Sequence, residues 1–248
     1  MTVDKQNGIW ILGYGSLIYK PPPHYTHRIP AIIHGYSRRF WQSSTDHRGT
    51  LDSPGRVATL IPFADIVGNE AFMDDFKRFH DPSVQLTGPD DLTTLGVVYY
   101  IPEKYVGAVR QYLDVREQNG YSLHEVEVHL EVSAEQEVEL GGSLVGLERH
   151  SETGRRILST SVYIGTVENE AFVGPEDLED TARVIASSHG PSGSNYEYLK
   201  LLCDSLNELV LKDDERIADH YLDALFDAVQ RIGDSMREKG KPGVIRGM

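Results

Sequence analysis

The chain has 248 residues, of which 40% are hydrophobic and 25% charged, with a formal net charge of −14 and a pI near 5.1. That size and composition suit one large or two small soluble globular domains, and the acidic balance repels phosphate backbones and anionic bilayers, so no nucleic acid and no membrane is expected as a partner. No apolar run reaches the length of a membrane span, Met1 to Asn7 carry neither a signal-peptide nor a transit-peptide pattern, and the single cysteine, Cys203, allows no internal disulfide; the expectation is a cytoplasmic protein in a reducing compartment.

Taken in chain order, Ile9-Trp10-Ile11-Leu12 reads as a buried strand that runs into a Gly13-Tyr14-Gly15-Ser16 turn. Two glycines so close together allow a ligand near the main chain, and successive N–H groups in such a turn can cradle an anion. The same residues also suit an ordinary tight turn. A dinucleotide fingerprint is excluded, because Pro21-Pro22-Pro23 forbids the long helix that G-x-G-x-x-G must open. Strands are expected at 28–36, 56–61 and 94–101, with a polar loop at 43–50 and a turn at Asp52-Ser53-Pro54-Gly55. Residues 62–92 lose the pattern and read as a short helix plus an exposed insertion. A helix follows Pro102, with Tyr105, Val109, Tyr112, Leu113 and Arg116 on one face and Asn119-Gly120 as its stop. A half-exposed strand at 125–132, an acidic surface loop at 135–150, a strand at 156–166 and a helix at 176–187 come next, then a loop at 190–194. Two amphipathic helices, 195–211 and 214–236, precede a tail at 239–248. The second carries a core stripe of Ile217, Tyr221, Leu225, Val229 and Ile232. The order predicts one α+β domain over 1–248 with a core at about 8–211, its mixed sheet curled towards a small barrel with helices around it.

Little of the chemistry-bearing vocabulary is present. No Cys/His cluster has metal-ligand spacing, and H-E-x-x-H, G-x-S-x-G and the P-loop pattern are missing. Ser188-His189 and Ser192 read as loop residues, and Cys203, among Leu201, Leu202 and Leu206, as a buried structural thiol. Glu117 stands out. At the end of its helix it faces the negative end of the helix dipole, and an apolar setting built by Tyr99, Tyr100, Tyr112 and Tyr121 would raise its pKa towards that of an acid/base near neutrality. A solvated glutamate at a helix end fits the same spacing.

Five segments together resemble the ChaC family of γ-glutamylcyclotransferases. They are Trp10-Ile11-Leu12-Gly13-Tyr14-Gly15-Ser16-Leu17-Ile18, Phe40-Trp41-Gln42-Ser43-Ser44-Thr45-Asp46-His47-Arg48-Gly49 and Pro54-Gly55-Arg56-Val57-Ala58-Thr59-Leu60, then Tyr112-Leu113-Asp114-Val115-Arg116-Glu117-Gln118-Asn119-Gly120-Tyr121 and the run from Ser188 to Leu199. The likeness covers about 8–202 and is greatest to fungal glutathione-specific members. It implies a small β-barrel with surrounding helices and a cofactor-independent, metal-free carbon–nitrogen lyase that cleaves glutathione to 5-oxoproline and Cys-Gly. It also implies substrate binding by Gly13, Tyr14, Gly15, Ser16, Leu17 and Ile18, and general acid/base catalysis by Glu117. It implies no particular oligomeric state. Two other readings use the same pocket: cyclisation of other γ-glutamyl amino acids or amines, and non-catalytic small-molecule binding. Residues 65–92 are a candidate lid.

Overall fold

The computed structural model describes residues 8–80, 86–117, 120–140, 144–209 and 219–239. Its centre is a closed barrel of five strands in the order β1-β5-β2-β6-β7, formed by β1 (Ile9–Gly13), β2 (His27–His34), β5 (Thr93–Ile101), β6 (Ser122–Leu130) and β7 (Arg156–Ile164). Neighbours are antiparallel except at the closure, where β1 meets β7 in parallel at Ile11↔Ser161. Strands alternate which face their side chains take, and the barrel uses that period. Ile29, Ala31 and Ile33 of β2, Val126, Val128 and Leu130 of β6, and Leu158 and Val162 of β7 are all buried with Leu12 in the main core. Fully burying such a side chain is worth about 1.5–3 kcal/mol, so the alternation sets the register. On the other face of β1, Ile11 packs with Ile101, Tyr163 and the helix α3 (Glu103–Arg116), through Val109 and Leu113. The helix expected after Pro102 therefore lies over the strand expected at its start.

The curled sheet with helices around it is thus observed, with one addition. Strands β3 (Tyr36–Ser44) and β4 (Gly55–Pro62) form a separate two-stranded ribbon, its register shifted between Arg39 and Gln42. The segment 62–92 departs from the expected exposed insertion. It contains two helices, α1 (Phe63–Gly68) and α2 (Glu70–Phe79), which bury Ile66, Phe72 and Phe76 against Trp41 and Ile61. Phe72 and Phe76 are four residues apart and share one helix face, and the Asn69 side chain caps α2 by accepting from the N–H groups of Ala71 and Phe72. The expected acidic loop at 135–150 likewise contains α4 (Ala134–Glu139), started by a reciprocal cap between Ser133 and Gln136, and Leu140 and Leu144 enter the main core.

Helices α5 (Leu178–Ser187), α6 (Asn195–Glu208) and α7 (His220–Lys239) pack on one another, and a minimal hairpin, β8 (His189–Gly190) with β9 (Gly193–Ser194), stands where a loop was expected. Of the α7 stripe, Tyr221, Leu225 and Val229 are buried and Ile232 is half-buried, while Ile217 and most of the tail lie outside the described residues.

Three imidazoles pack together, mutually tilted, near the ends of β2, β6 and β7, with ring centroids 4.1 Å apart for His34 and His129 and 4.6 Å for His129 and His150. Burial, with the neighbouring His34, His150 and Arg155 cations adding to it and Asp90 opposing, pushes His129 down to about 4, and burial lowers His34 as well. Both therefore take up protons at lower pH in the folded protein than in the unfolded chain, where the ordinary value is about 6.5. Their contribution to stability is therefore complete above about pH 6.5 and is lost as pH falls towards 4. Melting temperatures measured across that window should fall by several degrees, and His129→Phe should flatten the decline.

Candidate active site

The turn after β1 is built by close approach. A Cβ on Gly13 would stand 2.7 Å from Leu17 Cβ, and one on Gly15 would stand 3.0 Å from Tyr198 Oη. The Ile18 N–H donates to Gly15 O at 3.0 Å, and the Lys20 N–H to Ser16 O at 2.9 Å. Behind the turn, the Tyr99 hydroxyl contacts Leu17 O at 2.9 Å and Ile18 O at 3.3 Å. The N–H groups of Gly15, Ser16 and Leu17 find no acceptor among the described residues.

Glu117 arrives from the opposite side. It is the C-cap of α3, its N–H donating to Leu113 O at 2.8 Å, and the positive φ of Gly120 (76°) turns the chain into β6. Arg116 ties helix end to turn: Nη2 donates to Ser16 Oγ at 2.7 Å, Nη1 to Lys20 O at 2.9 Å, and Nε lies 3.5 Å from Glu117 Oε1. Between the two walls is a cleft enclosing about 970 Å³, part of it open to solvent. Gly13, Tyr14, Gly15, Ser16 and Leu17 line it together with Glu117, while Ile18 is buried in the main core behind it.

The Glu117 side chain is only 16% exposed. Burial raises its pKa; the Arg116 and His47 charges pull it partly back, and Asp46 pushes it further up. The expected aromatic setting exists, but largely from other tyrosines. Tyr121 lines the cleft with Tyr14, Tyr163 and Tyr198. Tyr99 supports the turn from behind, Tyr100 packs at a tilt against Trp10 and Tyr112 meets Arg116. The cleft tyrosines are held by their hydroxyls. Tyr14 donates to Tyr163 O at 2.9 Å, Tyr121 to Ala58 O at 2.9 Å and Tyr163 to Asp114 Oδ1 at 2.8 Å. No local pattern connects them, because they come from four separate segments: the turn, the stretch before β6, β7 and α6.

His47 and Ser192 also meet at the cleft, His47 Nδ1 lying 3.2 Å from Ser192 Oγ and Nε2 3.3 Å from Arg116 O. Ser188 instead donates to Pro54 O at 3.1 Å and His189 is exposed, so the serine–histidine contact joins two distant segments rather than neighbours in sequence. Cys203 lies away from the cleft, and burial pushes its thiol up to about 12, as a structural thiol requires. The described residues of the candidate lid at 65–92 do not line the cleft: Phe72 and Phe76 are committed to the packing around Trp41, and Phe79 packs edge-on against Tyr221. Among the described residues, no group of three or more His, Cys, Asp or Glu side chains is arranged to hold a metal ion. No helix among them is long and apolar enough to cross a membrane.

The fold is that of the γ-glutamyl cyclotransferases. A crystal structure of γ-glutamyl cyclotransferase specific to glutathione from yeast superposes with a TM-score of 0.86 at 61% identity, covering 90% of this chain and 96% of that one. The chain belongs to the ChaC family, whose model, described as ChaC-like protein, matches residues 9–232. Among its relatives, the glutathione-specific γ-glutamylcyclotransferase of Saccharomyces cerevisiae is 62% identical over 93% of this chain and 99% of its own length. The protein of the same name in Schizosaccharomyces pombe is 39% identical over 84% and 87%. Glutathione-specific γ-glutamylcyclotransferase 1 of Homo sapiens is 30% identical over 89% and 78%.

Two glycines test the packing of this region. Gly13→Ala drives a Cβ into Leu17 and should cost about 1–3 kcal/mol in urea unfolding. Gly107→Ala, in the exposed middle of α3 with nothing within 4 Å, should stabilise by about 0.5–1 kcal/mol.

Proposed function

We propose that this protein is a glutathione-specific γ-glutamylcyclotransferase in which Glu117 is the general acid/base and the turn from Gly13 through Leu17, backed by the buried Ile18, binds the γ-glutamyl group. The observation that carries the reading is a largely buried carboxylate with a raised pKa, Glu117, across one cleft from a turn whose Gly15, Ser16 and Leu17 N–H groups lack acceptors among the described residues. The names and identities of the relatives over nearly the whole chain support the same substrate.

The reaction asks little else of the protein. The α-amine of the γ-glutamyl group attacks its own γ-carbonyl and closes a five-membered ring, and the amide nitrogen of Cys-Gly leaves. The attacking ammonium must lose a proton and the departing amine must gain one, and one carboxylate with a raised pKa can do both in turn. The turn N–H groups hold the α-carboxylate or the developing oxyanion, and the tyrosine walls keep the flexible chain folded for ring closure. Residues 1–248 act as one catalytic domain with its core at about 8–211. The lone, deeply shifted thiol of Cys203 fits a reducing, cytosolic setting, where glutathione is abundant as the thiol.

Glu117→Gln should abolish 5-oxoproline formation from glutathione without unfolding the protein. Because the fold disfavours ionised Glu117, the neutral glutamine should also leave the melting temperature at pH 7 unchanged or raise it. In the unmodified protein, the acidic limb of kcat/KM against pH should lie above the usual glutamate range. Product from γ-glutamyl-alanine but not from glutathione would keep the chemistry and overturn the substrate.

A further inference from the structure

The cyclotransferase reading leaves Arg38 without a task. It belongs to β3, is 2% exposed, and does not line the cleft. Its guanidinium serves three elements. Nε donates to Tyr14 O at 2.9 Å, Nη2 donates to Leu95 O, and Nη1 pairs with Asp219 Oδ2 at 3.0 Å. The other carboxylate oxygen of Asp219, Oδ1, accepts the Leu222 N–H at 3.0 Å and so caps the start of α7. A buried cation that reaches the substrate turn is thus held by the last helix of the protein.

The bond to Tyr14 O has a geometric consequence. That carbonyl shares its peptide unit with the Gly15 N–H, and none of the described peptide bonds is cis. In a trans peptide the C=O and N–H point in opposite directions, so a carbonyl drawn to Arg38 turns the Gly15 N–H away from Arg38. Gly15 lines the cleft and its N–H has no acceptor among the described residues. A cation donating to the carbonyl also polarises the amide and strengthens the N–H as a donor. We propose that Arg38, fixed by Asp219, is a positioning residue that aims the Gly15 N–H at the α-carboxylate of the γ-glutamyl substrate. This inference rests on the cyclotransferase reading and gives the C-terminal helix a part in substrate binding.

The test uses a substrate analogue, 4-aminobutanoyl-cysteinylglycine, which keeps the amine and the scissile amide of glutathione but lacks the α-carboxylate. Calorimetric binding to the full-length Glu117→Gln protein should show a preference for glutathione of about tenfold or more, the size of one charge-assisted hydrogen bond. Adding Arg38→Met should remove most of that preference by weakening glutathione alone. Asp219→Asn, which preserves the helix cap, should reduce it in the same direction and decides the matter if the Arg38 variant does not fold. Full preference in folded variants, or equal weakening of both ligands, would overturn the proposal. 5-Oxoproline formation by the unmodified protein, assayed alongside, tests the cyclotransferase reading separately: its absence would remove that reading, whatever the binding preference.

Discussion

The hydrogen bond from Arg116 to Ser16 joins two pieces of chain that are 100 residues apart, and the cleft depends on it. One piece is the turn that leaves the barrel wall; the other is the C-terminal end of a helix lying across the outside of that wall. Neither makes a site alone. A turn with free N–H groups attracts any small anion, and a glutamate at a helix end is ordinarily solvated. The arginine beside Glu117 brings the two together by bonding the turn at both Ser16 and Lys20, and it does so 3.5 Å from the carboxylate itself. Its positive charge limits how far burial can raise Glu117, so the same side chain that assembles the site also moderates its acidity.

The barrel supplies the rigidity this arrangement needs. β1 is hydrogen-bonded on both sides, to β5 and β7, and its two faces are packed separately, one in the barrel interior and one beneath α3. The turn therefore departs from a strand that cannot shift without disturbing two cores. The tyrosines extend the same principle into the cleft. The hydroxyls of Tyr14, Tyr121 and Tyr163 are bound to backbone or carboxylate, as with Tyr121 on Ala58 O and Tyr163 on Asp114, while that of Tyr19, also at the cleft, has no such partner among the described residues. What remains facing the cavity is mostly ring surface, which desolvates Glu117 and shapes the space around a folded γ-glutamyl chain.

Much of this was legible in the residues. The β1 strand, the helix after Pro102 and the strands around β5, β6 and β7 follow from periodicity, because each has a face that must be buried. The segment 62–92 was legible as a short helix but not as two packed ones, since its helices bury only a few side chains against Trp41, a partner from a distant strand. The short helix at Ala134–Glu139 was signalled by the cap pair Ser133 and Gln136, inside a stretch whose acidity reads as loop. The tyrosines illustrate the limit more sharply. Proximity to Glu117 in sequence pointed to Tyr99, Tyr100, Tyr112 and Tyr121; of these Tyr121 lines the cleft, which also draws Tyr14, Tyr163 and Tyr198 from the turn, β7 and α6.

By itself, the sequence determined the glycine turn, the glutamate at the end of its helix and the family to which both belong. These are local features: a glycine where side chains collide, a helix stop, and a strand pattern with period two. Only the tertiary structure decided what surrounds Glu117, and hence the direction of its pKa, because desolvation is the sum of contacts from residues scattered along the chain. It also decided that Arg38 and Asp219, unremarkable in sequence, meet behind the substrate turn. A buried cation needs several acceptors at once, and they come together only when β3, β5, the turn and the last helix are in place.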